Sequence, residues 1–96
     1  MQVTTSKHTI TFVDEILVKH ISKIQDARVK LQDGQINEIE MTIDCAVAVT
    51  VSIGEVTDSK WIKELYENMN TKDFESISAP LAQLLGKGET EEVKKN

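Results

Sequence analysis

Few residues in this chain could carry chemistry. His8 and His20 are the only imidazoles, and Cys45 is the only thiol. A zinc site needs further strong ligands at short spacing, and neither a CxxC pair nor an HExxH motif is present. His20 falls at the edge of an apolar helical stripe, which suits a packed structural histidine. Cys45 lies inside an apolar run with no basic neighbour in sequence to lower its pKa, so it reads as a small buried hydrophobe. Gly86-Lys87-Gly88 follows a helical pattern rather than a strand, and no phosphate-binding glycine signature occurs. Asp33-Gly34 with Asn37, Glu38 and Glu40 carries acids of the type a calcium loop uses, but they miss its alternating spacing. Glu38 and Glu40 could pair as acid and base, yet no nucleophile and orienting group can be assembled around them. The expectation is a protein without catalysis, metal or cofactor.

Recognition is the remaining chemistry. Trp61 and Tyr66 share one amphipathic segment and could anchor a partner, since interfaces favour such residues; more often such residues simply supply core in a small domain. Sixteen acids oppose eleven bases, for a net charge of −5. That balance argues against general nucleic-acid binding, which relies on Lys and Arg to neutralise phosphates. Between Leu31 and Ser59 stand six acids (Asp33, Glu38, Glu40, Asp44, Glu55, Asp58) and no base. An acidic middle can meet a basic protein or simply form a solvated face. It is too sparse to imitate a nucleic-acid duplex.

The elements that must position these residues follow from periodicity. Ninety-six residues make one domain with one modest core. A lone cysteine excludes an internal disulfide. No apolar run approaches the ~20 residues that span a bilayer, and no signal-peptide core is present at the start, so a cytosolic location is expected. Val3-Thr4-Thr5 and Thr9–Phe12 alternate and are rich in β-branched residues, with Ser6-Lys7-His8 able to turn, which predicts a short hairpin. Val13, Ile16, Leu17, Ile21, Ile24, Ala27 and Leu31 step by three and four, predicting a helix over 13–31. Thr11 is its candidate N-cap, and Asp33-Gly34 its stop.

The middle of the chain supports two readings. Every odd position from Ile39 to Ile53 is apolar, a period of two that favours a strand. Fifteen residues is long for a strand, however, and after Asp44 the even positions turn small and apolar, as in a helix buried on nearly all sides. Beyond Gly54, Thr57-Asp58-Ser59 offers caps for a third helix with the stripe Trp61, Ile62, Leu65, Tyr66 and Met69. Thr71 is the candidate cap of a fourth helix, whose inner face is Phe74, Ile77, Leu81, Leu84 and Leu85. Pro80 should kink or restart that helix, and Gly86 and Gly88 should end it. Residues 1–88 then form the domain, and 89–96 a mobile charged tail.

The order of these features resembles the tail assembly chaperones of long-tailed phages and prophages. The resemblance rests on the opening VTTSKHTITF, the helix containing Ile24-Gln25-Asp26-Ala27, and the apolar segment ending VSIGEVTD. The closing IKELYENMNTKDFESISAPLAQLL is similar to the family's final pair of short helices, with Asp73-Phe74 at the step between them. It covers about Val3 to Leu85.

The resemblance implies a mostly α fold of about four helices in one small domain with a short N-terminal β-hairpin, and tips the middle segment toward helix. The alternative is an α+β protein-binding or regulatory module in which Ile39–Ile53 is a strand pairing with the hairpin. It also implies a non-enzymatic, acidic protein in the cytoplasm of the bacterial host, absent from the mature virion. That protein binds the tape measure protein until tail tube protein polymerises around it, without contact to nucleic acid or membrane. A frameshifted longer form would recruit tail tube protein. Slippery codons compatible with Gly86-Lys87, or with Lys94-Lys95-Asn96, are where the gene would shift. A homo-oligomer, as a ring or spiral along the tape, is compatible with this role. The candidate partner-binding residues are Trp61, Ile62, Leu65, Tyr66, Met69 and Phe74.

Overall fold

In a computed structural model, the backbone is described for residues 1–95 and side chains for residues 1–86. The β-branched opening pairs as expected. β1 (Gln2–Thr4) runs antiparallel to β2 (Thr9–Phe12), with Val3 opposite Ile10. The turn between them is held by Thr5, whose N–H donates to the His8 carbonyl at 2.8 Å and whose hydroxyl accepts the His8 N–H at 3.1 Å. Alternation along β2 sends Ile10 and Phe12 into the core, both almost fully buried.

The first helix starts later than the apolar spacing predicts. α1 spans Val18–Gln32, and residues 13–17 are not helical. Two contacts draw this stretch away from a helix. The Val13 N–H donates to the Val49 carbonyl at 2.9 Å, prolonging the sheet, and the Asp14 carboxylate pairs with the Met1 amino group at 2.7 Å. The N-cap is therefore Leu17, not Thr11. His20, Ile24 and Ala27 form the buried stripe, and the helix stops as expected at Asp33 and Gly34, where φ of Gly34 is +74°.

The ambiguous middle divides. α2 (Glu38–Val49) is a helix and β3 (Thr50–Ile53) a strand, joined without a loop. Asn37 and Glu40 cap α2 reciprocally, Asn37 Oδ1 accepting the Glu40 N–H at 2.8 Å. The single strand over Ile39–Ile53 is thus corrected to a helix followed by four strand residues. The period of two was a poor witness because α2 buries Ile43, Cys45, Ala46 and Val49, odd and even positions alike. β3 pairs antiparallel with β2, making a three-stranded sheet of order β1-β2-β3. One extra β3 residue, Val51, falls where the register shifts between Thr11 and Phe12.

Gly54, at φ +58°, turns the chain out of β3. α3 (Ser59–Glu67) and α4 (Thr71–Lys95) complete the fold. α4 is capped by Asn70 rather than Thr71: Asn70 Oδ1 accepts the Asp73 N–H at 2.8 Å, and its Nδ2 donates to Asp73 Oδ2 at 3.3 Å. The helix continues through Pro80 without restarting, and Gly86 is helical rather than its end. Gly88, expected to end it, is helical as well. The side chains of residues 87–96 lie outside the described residues, and with them the expectation of a mobile charged tail over 89–96. The four helices and the small sheet enclose one core, to which β2, β3 and all four helices contribute. The fold is mostly α, with the hairpin at its N-terminus.

Candidate functional site

The aromatic helix α3 is positioned at both ends by hydrogen bonds its sequence supplies. Asp58 is the N-cap, its Oδ1 accepting the Lys60 N–H at 2.9 Å. At the other end, Asn68 returns two donors to the Glu64 carbonyl, N–H at 3.1 Å and Nδ2 at 2.9 Å. Before the helix, Ile53 and Val56 exchange both backbone hydrogen bonds, at 2.9 and 3.0 Å, which fixes Val56 beside α3.

The predicted stripe splits into two faces. Ile62 and Tyr66 point inward and are 1% and 2% exposed, so they build the core and are withdrawn from any partner surface. Tyr66 stacks edge-on against Phe74, with ring centroids 6.1 Å apart, and its hydroxyl lies 2.7 Å from that of Thr50. Burial pushes the Tyr66 phenol up to about 12, against the opposing effect of the Thr50 hydrogen bond. Phe74 and Met69 are half-buried against the core. Trp61 alone of the six is exposed, at 54%, with Leu65 half-buried one turn further on.

An open groove of about 310 Å³ lies on this outer face, lined by Val56, Trp61, Glu64, Leu65 and Asn68. On α3 these are positions i, i+3, i+4 and i+7, one stripe of the helix. Lys60 Nζ sits 5.9 Å from the centre of the Trp61 ring, within cation–π range. On the opposite flank, Lys63 pairs with Asp44 of α2 at 3.2 Å and ties the two helices together. A second cleft of about 300 Å³ lies on that flank, lined by Lys23, Lys30 and Lys63 but also by Asp26 and Asp44, so its charges largely answer one another.

The acidic middle is partly accounted for by structure. Glu40 and Asp58 serve as capping groups, and Asp44 as an ion-pair partner. Glu38 and Glu55 are exposed.

The residues that might have done chemistry are dispersed. His20 is buried and its Nδ1 accepts the Leu17 N–H at 2.9 Å, closing the first turn of α1. Burial lowers its pKa, with Lys19 and Lys23 acting in the same direction. The Cys45 thiol is buried and pushed up by that burial, Asp44 adding to the rise and Arg28 opposing it. Among the described residues no three His, Cys, Asp or Glu side chains gather as a metal cage.

Sequence reasoning placed Asp73 at the step into the last helix but missed its structural role. It is buried, and the Ser6 hydroxyl donates to its carboxylate at 2.8–2.9 Å, linking the hairpin turn to the start of α4. The signal available was the Asn70…Asp73 spacing, a capping pair of the Asn-x-x-Asp type. Among the described residues no helix is long and apolar enough to cross a membrane. No family model matches the chain, and neither the curated proteins nor the solved structures compared with it include a match.

Proposed function

We propose that this protein is a tail assembly chaperone of a long-tailed phage or prophage, which holds the tape measure protein until tail tube protein replaces it. The observation that carries the reading is the outer face of α3. A large aromatic, Trp61, stands exposed beside an apolar groove, while its neighbours Ile62 and Tyr66 anchor the same helix in the core. A rigid helix presenting an aromatic over a shallow groove suits binding of another amphipathic helix. A mostly α fold with an N-terminal hairpin and four helices, β3 standing between the second and third, is of the class that the resemblance leads one to expect.

The role is a holding role without catalysis or cofactor. The role calls for modest affinity, because polymerising tube must displace the chaperone. The corresponding location is the bacterial cytoplasm during assembly, with the protein absent from the finished particle. Tail tube protein would be reached through a frameshifted longer form, and copies could line up along one tape. A tape measure gene immediately downstream would support the reading. Co-expression tests it: the tape measure protein from the same genome should become soluble with this chain and precipitate without it. Equal solubility in both cases would contradict the role.

A further inference from the structure

Acids outnumber bases around the Trp61 groove. Glu64 lines the groove itself, and Glu55, Asp58 and Glu67 flank its lining residues in sequence, all four exposed. Of the two bases in this segment, Lys60 sits over the Trp61 ring and brings a single cation to the rim, while Lys63 is turned to Asp44 on the other flank. The floor, by contrast, is apolar, made by Val56, Trp61 and Leu65. An apolar floor under a carboxylate rim fits a large hydrophobic side chain bracketed by cations.

The backbone chooses between a helix and a strand as occupant. Val56 spends both its N–H and its carbonyl on Ile53, and the Asn68 N–H is spent on Glu64. No strand can pair with these groups, so an occupant that satisfies its own backbone, as a helix does, suits the groove. We infer that the groove receives an amphipathic helix that carries a bulky apolar residue with Lys or Arg one turn to either side. This rests on reading the outer face of α3 as the partner-binding surface, and it adds the chemistry by which that partner is selected.

Trp61 is the chain's sole tryptophan, so its fluorescence reports occupancy of the groove directly. The probes are two synthetic helical peptides with the same apolar face, one with lysines beside the central leucine and one with glutamates. The lysine peptide should blue-shift the emission saturably and protect it from acrylamide. The glutamate peptide should bind about tenfold more weakly or worse, a difference that shrinks as salt rises from about 50 to about 500 mM. Glu64→Lys combined with Glu67→Lys, folded by circular dichroism, should reverse the preference. Equal binding of both peptides would overturn the charge selection. Absence of any shift would overturn the groove as a helix site, as would a shift produced by raising the protein's own concentration without peptide. The tape measure protein, added separately, distinguishes the two levels. If it binds while neither peptide shifts Trp61, the groove inference fails alone; if the lysine peptide binds and the tape measure protein does not, the chaperone reading fails alone.

Discussion

His20 illustrates how a residue that looks reactive is consumed by structure. Its Nδ1 accepts the Leu17 N–H, so that nitrogen carries no proton and Nε2 does. Protonation removes the acceptor and places a cation among Lys19 and Lys23 in a buried position. The folded pKa is depressed below the ordinary 6.5, so the unfolded chain takes up the proton first. The contribution of His20 is therefore complete above about pH 6.5 and is lost as pH falls through the lowered folded value. Urea midpoints should drop between about pH 7 and pH 5.5, and His20→Asn, which keeps an acceptor without titrating, should flatten that drop. A slope unchanged by the substitution would assign the acid sensitivity elsewhere. From the sequence, His20 could be read as structural. Its capping role could not, because the helix start was placed several residues early.

That early start shows what periodicity reads well and what it misses. The stepping of Ile24, Ala27 and Leu31 is a property of one helix face and was legible. Residues 13–17 carry the same spacing, but the sheet recruits the Val13 N–H and the N-terminus recruits Asp14, and neither pairing is local. The same competition divides Ile39–Ile53. Only the presence of β2 alongside decides that Thr50 onward is strand, and Thr50 marks the change, its N–H still bonding back to Val47. The cap of α3 was legible to within Thr57-Asp58-Ser59, of which Asp58 is the one used, and that of α4 was misplaced at Thr71, where Asn70 stood one residue earlier. The Ser6–Asp73 link joins residues far apart in sequence and left no local pattern at Ser6. It is strong enough to measure. Ser6→Ala removes a donor from a buried carboxylate and should cost about 1–3 kcal/mol in chemical denaturation. Hydrogen exchange should rise first in the hairpin and the first turn of α4. A loss under about 0.5 kcal/mol would mean that the carboxylate is fully satisfied without Ser6.

At the scale of the molecule, one short helix, α3, both contributes to the core and carries the proposed recognition face. The stripe over Trp61–Met69 was legible as amphipathic, but its division into an inner face of Ile62 and Tyr66 and an outer face of Trp61 and Leu65 depends on how α3 is rolled against α2. One residue of roll exchanges the two sets. The central claim is that Trp61 and its groove hold the tape measure protein, and gel filtration of co-expressed proteins tests it most directly. Wild-type chain should co-elute with the tape measure protein. Trp61→Asp, which changes an exposed position and should leave stability within about 1 kcal/mol, should elute alone. Co-elution of a folded Trp61→Asp variant at the wild-type ratio would contradict the account.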